Sequence, residues 1–347
     1  VEAEVTTVLP TMRRAGWRDG EASPGAAPAP VVLAADRLDR LVWALTAAVA
    51  AVVALATVPG HFVIAWNTFL VPGCAFIALF AGAWFYRHHR FDPKLASALG
   101  GTAQIAAFAA VGAPLSYIAA SAGLPLQDQL FDAADRALGF DWPALLAWMN
   151  THTTLHSVFC AAYLSFTAQA TTTVLALSFT SRLIELRVFM LAFIFAALFT
   201  IAVSALLPAQ GVWGHYGLSA ADYPAIIPAT REIHLPIFLG LRDGSFRSLV
   251  AQGSEGIITF PSLHASLGAI FIFALWPVPV LRWVGLAVNL LMIVATPVDG
   301  GHYFIDVLAG LAVAIVALIA ARALAARAER APVAASAARL PQLAGGK

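Results

Sequence analysis

Residues 188–207 read VFMLAFIFAALFTIAVSALL, an apolar run with no charged side chain in it. At about 1.5 Å of rise per residue, a helix of that length matches the roughly 30 Å hydrocarbon core of a bilayer. The pattern recurs along the chain. Windows 41–86, 95–127, 142–181, 188–221 and 256–281 contain no Asp, Glu, Lys or Arg. Each is long enough to supply a membrane-crossing segment. Only 11% of the 347 residues are charged and 60% are hydrophobic, against about 25% charged in an ordinary soluble domain. The expected fold is therefore an all-α polytopic membrane helix bundle. Hydropathy predicts about eight transmembrane helices, near 41–58, 63–86, 96–121, 154–179, 187–207, 261–276, 281–298 and 302–321.

The same composition excludes other classes. A formal net charge of +1 offers no basic face for nucleic acid. Cys74 and Cys160 both sit in apolar windows, so neither a disulfide framework nor a cysteine-rich metal site is expected. Residues 1–30 lack the apolar stretch of a signal peptide. The chain divides into a disordered tail (1–36), two N-terminal spans (37–94), a membrane core (95–328) and a second disordered tail (329–347). The sequence does not indicate an oligomeric state.

Charge placement predicts orientation. Arg37, Arg40, Arg87, Arg90, Lys94, Arg182, Arg187, Arg282, Arg322, Arg327 and Arg330 flank alternate connections. In segments 59–62, 122–153, 208–260 and 299–301 acids equal or outnumber bases. The positive-inside rule then puts both termini in the cytoplasm. An Ala- and Arg-rich, Lys-poor composition points to a bacterial inner membrane, with the intervening loops periplasmic.

Two of the outer loops are long. Residues 125–148 read as one amphipathic helix along the membrane surface, with Leu126, Leu130, Ala134 and Leu138 as its apolar stripe. Asp128, Asp132 and Asp135 lie on its other faces, either as a solvated surface or as a Mg²⁺ site against a diphosphate. Residues 208–260 are rich in Gly, Pro and aromatics and carry Arg231, Arg242 and Arg247; loops of this length are often functional.

Charged groups are costly in mid-bilayer, so polar residues at span ends need a reason. The last span opens Gly300-Gly301-His302-Tyr303-Phe304-Ile305-Asp306. His302 and Asp306 are four apart and share a helix face, so the carboxylate can hold one imidazole nitrogen as N–H and leave the other as a lone pair. The sixth span opens Phe260-Pro261-Ser262-Leu263-His264-Ala265-Ser266. There Pro261 and Ser262 mark a helix start, and the free N–H groups of its first turn favour an anion. Arg242 and Arg247 stand on the same side of the membrane. Two histidines, a carboxylate and guanidinium groups at one membrane face suit phosphoryl transfer.

These two motifs resemble those of the type 2 phosphatidic acid phosphatase superfamily. The closer resemblance is to its inositol phosphorylceramide synthase and sphingomyelin synthase-like branch. They correspond to the family's second and third motifs, 38 residues apart from His264 to His302, which fits one passage through the membrane and back. The resemblance implies a phosphatase/phosphotransferase-like core over 95–328. In it His302 is the nucleophile that forms a phosphohistidine, Asp306 orients it, and His264 is the acid for the leaving alcohol. It implies no cofactor and no metal, and a lipid phosphate or phospholipid as substrate, acted on at the extracytoplasmic face. The family's first motif, Lys, six residues, then Arg-Pro, is absent. Arg242 and Arg247 are its nearest positional replacement, and with Ser262 they are the expected phosphate-binding residues. Thr296 stands six residues before His302, where the phosphatases have Arg.

Other polar groups are read structurally. Tyr163, Ser165 and Gln169 are expected to hold helices together, and His88 and His89 belong to a charged turn. His152 and His156 read as interfacial polarity, and Trp213 and Tyr216 as interface anchors. His215 and His234 are candidates to line the site. The competing function is a transporter or other non-enzymatic membrane protein in which the Asp–His pair relays protons.

Overall fold

A computed structural model describes residues 30–219, 221–226, 234–250 and 257–331. The predicted N-terminal tail up to 29, Arg231 and the tail from 332 lie outside the described residues. Thirteen α-helices are described. They are α1 (Pro30–Thr57), α2 (Leu70–His88), α3 (Pro93–Ala120), α4 (Asp128–Ala137), α5 (Trp142–Thr151), α6 (Thr153–Leu164) and α7 (Phe166–Phe179). They continue with α8 (Leu183–Leu206), α9 (Gly211–His215), α10 (His234–Asp243), α11 (Leu263–Leu275), α12 (Leu281–Gly300) and α13 (Phe304–Arg330). A two-residue parallel ladder pairs Val63–Ile64 with Ser248–Leu249. The fold is an all-α polytopic membrane bundle.

The charge-free run that opened the sequence becomes α8, the axis of the bundle. Most of its residues from Leu186 to Ser204 are buried, Phe199 being an exposed exception, and it packs against α13, α3, α11 and α1. By contrast, α2 touches mainly α3 and has no buried residue. Large apolar side chains such as Leu55, Ile77, Trp283, Ile315 and Ile319 point outward. On a soluble monomer so wide an apolar surface would aggregate; here it meets lipid.

Among the described residues six helices are long and apolar enough to cross a membrane, or seven if α6 and α7, bent by 49° at Ser165, form one broken span. The predicted sixth span is the difference. Helix α11 has 13 residues, about 20 Å, because Ser262 caps its start and Pro277 follows its end. Helix α1 also begins at Pro30, so residues 30–36 are helical and not part of a tail.

The predicted surface helix over 125–148 is two helices. Gly139, in the left-handed region at φ +87°, ends α4, and the Asp141 carboxylate starts α5 by accepting from Ala144 N at 3.0 Å. Its faces are also reversed. Leu130 and Leu138 are exposed, whereas Asp128, Asp132 and Asp135 are buried. In a membrane setting the apolar stripe faces outward and the polar face looks into the protein.

Candidate active site

Two helix starts are stitched together to make the site. Ser262 caps α11: its Oγ accepts from Ala265 N at 3.3 Å. Its own N–H donates to the Asp306 carbonyl at 3.0 Å, which ties it to the first turn of α13. The contact is close because residue 310 is glycine. A Cβ there would lie 2.3 Å from the Ser262 carbonyl oxygen, a distance no side chain tolerates. Ser266 Oγ seals the seam by donating to Gly310 O at 2.8 Å. His264, in the first turn of α11, and His302, just before α13, are thereby brought to one cavity of about 360 Å³.

His302 lies in the short connection between α12 and α13 and is buried. Its Nδ1 is 3.2 Å from Asp306 Oδ2. With the carboxylate accepting from Nδ1–H, Nε2 carries the lone pair; it lies 3.5 Å from Ser262 Oγ. Burial away from water pushes the His302 imidazole down to about 4, below its ordinary value, so it is neutral at neutral pH. Gly301, left-handed at φ +63°, supplies the turn before it. The Gly301 carbonyl accepts from Val212 N at 3.0 Å. That approach needs Gly211, whose Cβ would sit 2.7 Å from the same oxygen.

His264 stacks on Tyr163, ring centroids 4.1 Å apart, and its Nδ1 is 3.3 Å from the Tyr163 hydroxyl. Phe166 lies beyond it at 5.2 Å. The rest of the cavity is largely apolar: Phe108 and Gly112 of α3, Phe193 and Ile201 of α8, and Phe238 of α10 contribute walls. An apolar chamber with imidazoles at one end is suited to an amphiphile with a reactive head group.

The structure does not bring Arg242 and Arg247 into that cavity. Helix α10 begins at the cavity with His234 and Leu235. Arg242 is eight residues further along, about 12 Å away on an α-helix. There it donates to Leu124 O at 2.7 Å and lies 5.5 Å from the Phe238 ring centroid. Arg247 donates to the carbonyls of Leu241 and Phe246 and stands 5.3 Å from the centroid of Phe62. Both guanidiniums fasten the loop after α10. His234 takes the place at the cavity wall. Ser262 is fully buried beneath the site as a helix cap, beside His302.

Other residues also differ from their sequence reading. Tyr163 lines the cavity, while Gln169 of α7 does hold helices together, donating to Met292 Sδ of α12 at 3.7 Å. Trp213 is buried in the cavity wall and is not an interface anchor, and Tyr216 donates to Asp132. His152 and His156 part company. His152 is exposed, whereas His156 Nε2 is buried 3.2 Å from Asp299.

The three α4 carboxylates are neither solvated nor gathered around a vacant centre. Asp128 accepts from Gln210 N, Gly211 N and the Tyr303 hydroxyl at 2.9–3.1 Å. Asp132 accepts from Arg136 and Tyr216. Asp135 accepts from the Trp142 indole and from the backbone of Phe304 and Ile305 at 2.7–2.9 Å. Burial and the neighbouring Asp128 hold the Tyr303 phenol far above its ordinary range, so it remains a donor. No pattern in the sequence links these groups, since Tyr303 and Asp128 are 175 residues apart.

Comparison with known families agrees with this geometry. A family model described as the PAP2 superfamily matches residues 129–320, from α4 through most of α13 and more than half of the chain. The chain belongs to the PAP2 superfamily, whose members are generally phosphoric ester hydrolases. No curated protein and no solved structure matches it. It is thus a phosphatase-family integral membrane protein, with α1, α2 and α3 lying outside the matched region.

Proposed function

We propose that the protein transfers a phosphoryl or phospho-head group from a membrane lipid, through a phosphohistidine on His302. One observation carries the reading: the Asp306-held His302 and the Tyr163-stacked His264 meet at the end of one apolar cavity. His302 Nε2 attacks phosphorus and the bond to the lipid alcohol breaks. His264 gives that alcohol its proton, a step worth about 10²–10⁴-fold. Water or a second alcohol then attacks the phosphohistidine, and His264 takes the proton back. His234 contacts the phosphate oxygens at the cavity wall in place of the arginines.

The lipid acceptor reading, akin to inositol phosphorylceramide and sphingomyelin synthases, is supported by the lack of the phosphatases' basic first motif and by Thr296 where they carry Arg. The basic residues Arg87, Arg90, Lys94, Arg182, Arg282 and Arg327 all lie near the helix ends opposite the histidines. This supports a cytoplasmic basic end and an extracytoplasmic site, periplasmic in a bacterial inner membrane.

Purified protein should be given phosphatidic acid, a polyprenyl phosphate, and phosphatidylinositol with ceramide, scoring both free phosphate and new phospholipid. Turnover of at least one, with a ³²P label trapped on wild type and absent from His302→Ala, is the expected result. Normal turnover by folded His302→Ala and His264→Ala on every substrate refutes it.

A further inference from the structure

The three carboxylates of α4 are buried, and the chemistry above makes no use of them. Two of them grip the segment that carries His302. Phe304 and Ile305 are the first residues of α13, where backbone N–H groups lack intrahelical acceptors. Asp135 takes both, Oδ2 from Phe304 N at 2.7 Å and Oδ1 from Ile305 N at 2.9 Å. Trp142 Nε1, at 2.8 Å from Oδ2, fixes the carboxylate in turn. Asp128 Oδ1 holds the Tyr303 hydroxyl at 2.9 Å and Gly211 N at 3.0 Å, while the Gly301 carbonyl is held by Val212 N. The residues on either side of His302 are thus anchored to α4 and α9.

The detail that matters is at Asp306. Its Oδ2 serves two donors, His302 Nδ1 at 3.2 Å and Tyr303 N at 2.9 Å. A carboxylate in the first turn of a helix is drawn to the free N–H groups and the positive end of that helix. Asp135 occupies the next two of those N–H groups from outside. We propose that Asp135 is a positioning residue: by capping α13 from α4 it leaves Asp306 to orient His302, with Asp128 holding Tyr303 in register. Without Asp135, Asp306 becomes the carboxylate nearest to the vacated N–H groups and turns toward them, so that His302 loses its Nδ1 partner. This rests on the reading of His302 as nucleophile.

The test uses the full chain in detergent micelles and whichever lipid of the panel wild type turns over fastest. Asp135→Ala should lower kcat about 100-fold, the effect of a displacement near 1 Å, with KM within about threefold, because the substrate cavity is untouched. Asp132→Ala is the control. That carboxylate sits on the same helix and is also buried, but bonds Arg136 and Tyr216 and none of residues 300–306; its kcat should stay near wild type. In an Asp306→Asn background, Asp135→Ala should cost little further, since both act through His302. Asp135→Asn, which keeps the shape but sets an amide against one N–H, should lower kcat about tenfold and is read if the alanine variant does not fold. Wild-type kcat in the Asp135 variants, a loss no larger than that of Asp132→Ala, or full additivity with Asp306→Asn overturns the proposal. Normal turnover by His302→Ala would instead overturn the functional reading itself.

Discussion

Two buried polar networks lie toward opposite ends of the bundle, and they are built on different chemistry. Near the start of α8, Asp39 of α1 meets Arg187, with Nε 2.7 Å from Oδ1 and Nη2 2.8 Å from Oδ2. Gln104 of α3 adds a bond at 3.0 Å and Arg87 of α2 an ion pair at 3.3 Å. There one acid is paired with two guanidiniums, and four helices are bolted together by ion pairs. Beyond the other end of α8, Asp128, Asp135 and Asp306 accept from backbone N–H groups, an indole, a phenol and an imidazole. Among the described residues no Arg or Lys is bonded to them. Neutral donors hold these carboxylates with no ion pair, and Asp306 Oδ1 is left without a hydrogen bond. Those carboxylates accept at the helix starts and hold the His302 ring. One network is built on ion pairs, the other on neutral donors.

The contrast predicts which variants hurt activity and which hurt folding. The largest effect falls at the end with neutral donors: His302→Ala should leave no turnover, and His264→Ala should lower kcat by about 10²–10⁴-fold, each with a thermal midpoint close to wild type. Asp39→Asn should do the reverse. Leaving Arg187 buried without its carboxylate costs about 3–5 kcal/mol of stability, seen as a lowered thermal midpoint in detergent, while kcat per folded molecule stays the same. A kcat loss at Asp39 without destabilisation would erase the distinction. Gly310→Ala sits between the two, because its methyl group would press on the Ser262 carbonyl. Overpacking there should cost about 1–3 kcal/mol and about tenfold in kcat by parting the two helix starts.

The smallest effect concerns pH. In the proposed reaction His302 acts with Nε2 unprotonated, and burial holds its imidazole near 4. The acid limb of kcat/KM for the free enzyme should therefore fall as pH drops through about 4, and not near the ordinary histidine value of about 6.5. A limb assigned to His302 near 6.5 would mean the nucleophile is wetter than the cavity indicates.

The bundle was legible in sequence because charge-free windows are local, and α8 matches its window closely. His264, His302 and Asp306 were legible for the same reason: each motif fits within one or two helical turns. What failed was everything set by tertiary placement. Spacing could not show that α10 presents His234 and not Arg242 to the cavity. A helical wheel separated leucines from aspartates in α4 but is blind to which face looks inward, and in lipid the usual answer reverses. Tyr163 and Trp213 passed for ordinary membrane aromatics because nothing near them in sequence marks the chamber wall.

Gly310 has one more consequence. The separation of the two histidines is fixed by main chain resting on main chain, at a point where a single hydrogen stands in for a side chain. Substitutions scattered over the lipid-facing exterior can change the protein's outline, its oily coat and even the grip of α2 while the gap between His302 and His264 is preserved. One methyl group at 310 alters that gap directly, so the chain's tolerance of drift is wide at its rim and nearly nil at this seam.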